Sequence, residues 1–266
     1  MATGNEGKDL SALLARLRTS GPHKTLPTAR RIRIIFNKTL IVDTTRAVLV
    51  WEHEWYPQYY IPASDIQAAS LTNEALATLT VAEKPGIEAK STDRVLRFDN
   101  DTSWGVLAGL VGIISYIYIY LPTDALPPPK DSWLEEDLPI YGHPKDPFKR
   151  IDILPSTRPI EVRIAGKTVA KSPHAQHLHE TGLRVRYYLP LASVVDPALL
   201  RPSTTTTYCP YKGTAEYYDV VLDDGREYKD VVWYYRATLH ESAAVAGLIS
   251  FYNEKVEIYL DGNRVE

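Results

Sequence analysis

Leu10, Leu13, Leu14 and Leu17 recur at the spacing of one helical face, which predicts a short amphipathic helix over Asp9–Leu17. Gly21, Pro22 and Pro27 then mark residues 19–28 as a linker. From Ile32 the pattern changes to short apolar runs broken by turn residues, the mark of strands. Ile32-Arg33-Ile34-Ile35-Phe36-Asn37-Lys38-Thr39 reads as a hairpin with Asn37-Lys38 at its turn. The same pattern returns as Glu161-Val162-Arg163-Ile164-Ala165-Gly166-Lys167-Thr168, with Gly166-Lys167 expected at the turn. Farther on, Ala47, Glu52, Tyr59, Tyr60 and Pro62 match Ala175, Glu180, Tyr187, Tyr188 and Pro190 at one constant offset. Gly112 to Tyr116 resembles Gly247 to Phe251, and Tyr118 to Leu121 resembles Glu257 to Leu260.

A repeat on this scale predicts two copies of one small domain. The expected fold is mainly β: tandem, pseudo-symmetric β-rich domains with few short helices. Residues 1–28 form the helix and linker, 29–125 the first domain, 126–158 a connector and 159–266 the second domain. The connector is assigned from its prolines, among them Pro127, Pro128, Pro129, Pro139, Pro144, Pro147 and Pro155, which disfavour helix and central strand. Trp104 to Leu121 carries no charge and imitates a membrane span. Its counterpart in the second copy carries Glu254, Lys255 and Glu257, so the stretch is expected to be a buried helix and strand.

Composition narrows the function. The chain has 266 residues, 44% of them hydrophobic, and a formal charge of -3. No basic excess draws it to a phosphate backbone, so nucleic acid is not an expected partner. One cysteine excludes an internal disulfide and a multi-cysteine zinc site. No glycine fingerprint for NAD, FAD or a P-loop is present, and no cofactor is expected. Residues 1–8 lack the basic start and apolar core of a signal peptide, which with the single cysteine points to the cytoplasm. The 18 tyrosines against 4 phenylalanines call for polar partners inside the fold or in a pocket. The expected partner is therefore an organic small molecule, not a membrane. The two copies are expected to form an intramolecular pseudo-dimer, with homo-oligomers open.

The copies differ most in their middles. Ser203 to Tyr235 holds a threonine run and the turn Cys209-Pro210-Tyr211-Lys212-Gly213, where the first copy has Leu71 to Arg97. The second copy is thus read as the working half. Its candidate catalytic residues are His177, His179, Lys212 and Glu180, and its candidate substrate contacts Tyr188, Tyr208, Cys209, Tyr211, Tyr218 and Trp233. In a strand, His177 and His179 share a face and Glu180 takes the other. The histidines replace Leu49 and Trp51 of the first copy, so they are read as a pocket wall. Three roles are open to them: acid and base near neutral pH, two ligands of a metal, or structure. Glu180, shared as Glu52, is either structural or catalytic. Lys212 either binds an oxyanion, forms a Schiff base, or pairs with Glu216 across the turn. Cys209 is either a nucleophile or a small buried hydrophobe.

The runs Glu180-Thr181-Gly182-Leu183, Arg186 to Pro190, Cys209 to Gly213 and Ala246 to Asn253 resemble the family catalogued as domain of unknown function 427. Gly142 to Asp152 is similar to the joint in its two-domain members. That resemblance implies a small β-rich domain of the β-tent kind, without the metal of other β-tent proteins because this chain has no Cys-x-x-Cys. A nucleotidyltransferase label attached to some members is not carried over. Its chemistry requires clustered carboxylates, and Asp99-Asn100-Asp101 and Asp223-Asp224 read as turns. The expected activity is cofactor-free acid/base chemistry, an isomerisation, cyclisation or elimination, in an aromatic pocket of the second domain. Ligand binding without catalysis and nucleotide processing are the alternatives.

Overall fold

A computed structural model describes residues 9–114, 131–140 and 142–265. They form a mainly β protein of four antiparallel sheets in two similar halves, divided between Asp146 and Pro147.

The first half begins with α1 (Leu10–Ser20), followed by β1 (Lys24–Pro27), β2 (Ile32–Phe36), β3 (Thr39–Thr44), β4 (Val48–Trp51), β5 (Gln58–Pro62) and β6 (Ser70–Leu71). It continues with β7 (Leu76–Val81), β8 (Lys90–Arg97), β9 (Leu110–Ile113), β10 (Ser132–Glu135) and β11 (Leu138–Pro139). The second half runs through β12 (Ile151–Ser156), β13 (Ile160–Ile164), β14 (Lys167–Ser172), β15 (Ala175–Glu180), β16 (Arg186–Leu189) and β17 (Leu200–Cys209). Its last strands are β18 (Gly213–Val221), β19 (Glu227–Tyr234), β20 (Ile249–Phe251), β21 (Glu257–Leu260) and β22 (Asn263–Val265).

The large sheets have orders β1-β4-β5-β9-β8-β7-β6 and β12-β15-β16-β20-β19-β18-β17. The small sheets have orders β11-β10-β2-β3 and β14-β13-β21-β22, the same arrangement read from opposite ends. In each half the two sheets close over an apolar core. Ile32, Ile34 and Phe36 meet Leu49, Tyr59 and Val111 in the first half, and Ile160, Val162 and Ile164 meet Tyr187, Val232 and Ile249 in the second. The inward alternation of β2 is repeated in β13, buried at the first, third and fifth positions of both.

Strand pairing corrects the repeat in three places. The second hairpin turns at Ala165-Gly166, not Gly166-Lys167, because those two residues carry the positive φ angles (51° and 77°) that Asn37 and Lys38 carry (49° and 59°). Ile160 is therefore the counterpart of Ile32, at the offset that relates Glu180 to Glu52. Tyr60 pairs Gly112 while Tyr188 pairs Ser250, so Gly247 corresponds to Gly109 rather than to Gly112. Ile32 faces Glu135 as Ile160 faces Leu260, so β10 takes the place of β21. Tyr118 to Leu121, matched to β21 from sequence, lie outside the described residues.

The connector is shorter than its prolines suggest. β10 and β11 belong to the first half and β12 is the edge strand of the second large sheet. Proline is tolerated at such edges, where no inner neighbour needs its N–H. Lys24–Pro27, read as linker, pairs with β4 as an edge strand. The helix is close to its expected bounds: Asp9 caps it, its Oδ1 accepting from the N–H groups of Ser11 and Ala12. Leu13 and Leu17 are buried on the outer face of the first large sheet, against Val50, Tyr60, Leu96 and Phe98. Of the uncharged stretch from Trp104, the described part is a short 3-10 turn (Thr102–Leu107) and β9. No helix among the described residues is long and apolar enough to cross a membrane.

Candidate functional site

Among the described residues no α-helix covers the outer face of the second large sheet, and the short 3-10 turn His240–Val245 packs on part of it through Val245. That face holds a cavity of about 180 Å³. The residues that reach it follow from strand alternation. On β15, Leu178 and Glu180 face outward, and on β16 so do Arg186 and Tyr188. Across the neighbouring strands, Tyr188 pairs Ser250, Ser250 pairs Trp233, and Trp233 pairs Tyr217. One cross-strand row thus carries three large aromatic side chains to the same face.

The Cys209–Gly213 turn supplies the charge. It is fixed at both ends. Lys212 N–H donates to the Cys209 carbonyl at 3.2 Å, and Leu239 N–H donates to the Lys212 carbonyl at 3.1 Å. Gly213 has φ of 103°, and a Cβ there would lie 3.1 Å from the Ala237 carbonyl oxygen, so only glycine fits. From this turn Lys212 Nζ donates to Glu180 Oε2 at 2.5 Å. Lys149 Nζ lies 3.2 Å from Glu180 Oε1. The side chains of Lys212 and Glu180 are only 11% and 7% exposed.

Burial alone pushes the Glu180 carboxyl up, but Lys212, and after it Lys149, outweigh burial and hold it below the ordinary carboxylate range. Burial pushes Lys212 down, and the Cys209 sulfur and Glu180 more than reverse that. The pair is therefore ionised at neutral pH. Burial raises Tyr188 to about 12, so its phenol keeps its proton. Among the described residues Glu180 is the one hydrogen-bond partner of the Lys212 ammonium, which has three N–H donors.

Hydroxyls and rings complete the walls. Trp233 Nε1 donates to Tyr188 Oη at 3.1 Å. Tyr217 Oη is 2.7 Å from Thr207 Oγ1 and 3.3 Å from Tyr252 Oη. Arg186 lies 5.6 Å from the Trp233 ring centre and 5.8 Å from that of Tyr252, and Glu254 grips it through both carboxylate oxygens. Leu183 and Arg184, both exposed, form the mouth.

Of the residues singled out from sequence, Glu180, Lys212, Tyr188 and Trp233 meet at this cavity. The others do not line it. His177 turns to the inner face, edge-on to the core residue Tyr187 at 4.8 Å, and its Nε2 has no protein partner. His179 shares that face and is exposed. The two histidines share a face as alternation predicts, but that face is the inner one and the cavity lies on the other. Tyr218 stacks on Tyr234 (5.0 Å) and packs against the inner core, and its neighbour Tyr217 lines the cavity instead. Tyr208 alternates away from Thr207, Tyr211 is buried beneath Lys149 (5.9 Å), and Cys209 is half-buried at the foot of the turn. Lys212 pairs with Glu180, not Glu216, which is held by Tyr234 and Arg236. Arg186, Tyr252 and Lys149 are not singled out by the sequence, and Tyr217 and Tyr235 stand there only among a run of aromatics of which alternation sends about half to each face. Two-residue spacing from Tyr188 and from Trp233 would have found Arg186 and Tyr235.

The first half gives the contrast. Glu52 accepts from Tyr60 Oη at 2.8 Å and among the described residues has no lysine partner. Burial outweighs that hydrogen bond and the more distant Arg16, raising Glu52 to about 7. Leu96 and Leu76 stand where Trp233 and Tyr217 stand, and α1 covers the face. Tyr60 lies across Gly112, where a Cβ would meet its ring at 2.7 Å. Ser250 has that Cβ, and Tyr188 takes Trp233 rather than its glutamate as partner. No group of three or more His, Cys, Asp or Glu side chains suited to a metal occurs among the described residues.

A profile of the family described as a domain of unknown function, number 427, matches residues 24–83 and 152–262, more than half of the chain and parts of both halves. No curated protein matches.

Proposed function

For a chain that belongs to the domain of unknown function 427 family, whose description names no reaction, we propose cofactor-independent acid/base catalysis on a small organic molecule in the cavity of the second half. The buried Lys212–Glu180 pair carries this reading. A carboxylate and an ammonium kept ionised side by side, in an aromatic cavity that restricts water, are the two parts needed to move a proton from carbon next to a carbonyl. Glu180 takes the proton. Lys212 turns its remaining N–H donors to the oxygen on which negative charge develops. As that oxygen takes up the ammonium, Glu180 loses part of its partner and becomes a stronger base. Tyr188, kept protonated, is a further donor. Return of the proton at another carbon is an isomerisation. Ring closure or loss of a leaving group from the same intermediate is a cyclisation or elimination. A Schiff base is disfavoured because Lys212 holds its proton.

A second reading, binding without turnover, is favoured by the same pair: neither group changes charge near neutral pH. Nucleotide processing has less support. Asp101 caps a 3-10 turn, Asp224 is held by Arg226, and neither lines the cavity. The test is exchange of carbon-bound hydrogen in D2O, followed by NMR across small enolisable ketones, keto acids and unsaturated acids. Exchange catalysed by the wild type and by His179→Ala, and lost in Glu180→Gln and Lys212→Met, supports the assignment. Exchange that survives Glu180→Gln removes Glu180 as the base, and no exchange with any compound that binds favours the binding reading.

A further inference from the structure

The cavity is polarised along its depth. Its inner end is buried: Lys212, Tyr188, Trp233 and Tyr235 are each less than a tenth exposed. Its mouth is cationic, with Arg184 exposed and Arg186 half-buried. Charges do not balance across it. Arg184, Arg186 and Lys212 line it against Glu180, while Lys149 and Glu254 lie outside the lining, Lys149 beside Glu180 and Glu254 gripping Arg186 from the rim. Between the two ends lie aromatic faces, Trp233 and Tyr252 being 4.5 Å apart between ring centres. The volume, about 180 Å³, is below the roughly 300–1,000 Å³ of sites for drug-sized ligands.

We infer that the ligand is a small organic monoanion: a carboxylate with a compact unsaturated or single-ring body and a second oxygen function one or two carbons away. The inference rests on the cavity being the ligand site. The carboxylate lies at the mouth against the exposed Arg184, because a guanidinium fork matches its geometry and that of Arg186 is already taken by Glu254. The body lies on the apolar surfaces of Trp233 and Tyr252, whose ring centres are 4.5 Å apart. The second oxygen reaches Lys212. This orientation turns the carbon next to the second oxygen function, the CH2 of phenylpyruvate, toward Glu180. A neutral ligand leaves the cationic excess uncompensated, and a cationic one adds to it.

Binding separates this inference from the catalytic one. Calorimetry on the full chain with phenylpyruvate, benzoate, benzamide and benzylamine is the experiment. The expected order is phenylpyruvate first, benzoate next, benzamide weaker by about 10–100-fold, the worth of one charge-assisted hydrogen bond, and benzylamine absent. Added salt weakens the two acids and not the amide. Arg184→Ala costs the acids more than the amide, while Glu180→Gln keeps the acids bound. Equal binding of benzoate and benzamide, or tighter binding of benzylamine, overturns the anion assignment. Acids that bind wild type and Glu180→Gln alike, with no hydrogen exchange in either, support it and remove the catalytic reading. Binding that survives unchanged in both Arg184→Ala and Lys212→Met places the ligand elsewhere and overturns both.

Discussion

Replacing Lys212 by methionine keeps the length of the side chain and removes its charge from a glutamate whose side chain is 7% exposed. Removing one partner of a buried ion pair costs about 3–5 kcal/mol when the other stays charged. Glu180 need not stay charged, and Glu52 shows how far a carboxyl goes in this framework without a lysine: from 4.5 to about 7. That displacement corresponds to about 3 kcal/mol between the two protonation states. Lys149 remains in the single variant, so Lys149→Met/Lys212→Met is the full analogue of the first half. In wild type the depressed Glu180 adds stability above its unfolded pKa and loses it as pH falls through the folded one. In the double variant the sign reverses. With its folded pKa raised, Glu180 stabilises below about 4.5 and loses that contribution as pH rises toward 7. The variant should therefore fall below wild type by a gap that widens by up to about 3 kcal/mol between pH 5 and pH 8. Hydrogen exchange of β15, β16 and β18 amides reads the second half alone, which matters because Trp51, Trp55, Trp104 and Trp133 dominate fluorescence from the first. A gap of the same size at pH 5 and pH 8 would falsify the claim that the lysines hold Glu180 ionised.

The first half offers the mirror experiment. Glu52→Gln should abolish a loss of stability that wild-type β4, β5 and β9 amides show as pH rises from 4.5 through 7, because a carboxyl raised to about 7 stabilises only while protonated; an unchanged slope would assign it to another group. His177→Leu, which copies Leu49, should be neutral or stabilising by up to about 2 kcal/mol, since it removes a buried Nε2 with no protein partner. The gain should be larger at pH 5 than at pH 8, because burial first, then Arg158 and His179, hold the folded imidazole below its ordinary pKa. His179→Ala, at an exposed position, should change the melting free energy by less than about 0.5 kcal/mol. Thermal melts at both pH values measure these changes, and a marked loss in His177→Leu would point to a partner for that nitrogen.

The repeat is legible because Tyr60 and Tyr188 sit in the matching strands β5 and β16, with Glu52 just past the end of β4 and Glu180 at the end of β15, in a spacing the core fixes. At the hairpins residue type misleads by one position: Ile35, Lys38 and Thr39 resemble Ile164, Lys167 and Thr168, while the bulges after Ile34 and Val162 fall at equivalent places and keep the two strands in step. Tyr217 and Tyr218 point to opposite faces, and which of them meets Trp233 is set by the pairing of β18 with β19, not by either residue alone. Glu180 and Lys212 were identifiable as chemical groups, but not as a pair. They are 32 residues apart, and their meeting depends on a turn anchored by Leu239 and Ser242. Which face of β15 is a pocket is not written in β15 at all. It is decided by what covers each face, the small sheet on one side and, among the described residues, Lys149 and the 3-10 turn His240–Val245 on the other. Pro139 and Pro155 hid two strands because their partners, β10 and β15, leave proline on an edge.

The placement of β10 has a consequence for how the protein is made. Trp133 pairs with Ile34, so the small sheet of the first half cannot close until residues about a hundred positions later have been synthesised. At roughly 5–20 residues per second that is a wait of about 5–20 s. During it the nascent hairpin of β2 and β3 presents an open apolar edge of the kind that pairs with neighbouring chains. A gene cut at the repeat boundary, near residue 125, makes that interval permanent. The first half is a unit in space but not a unit of sequence, and its production as a separate piece has to carry the chain through Pro139.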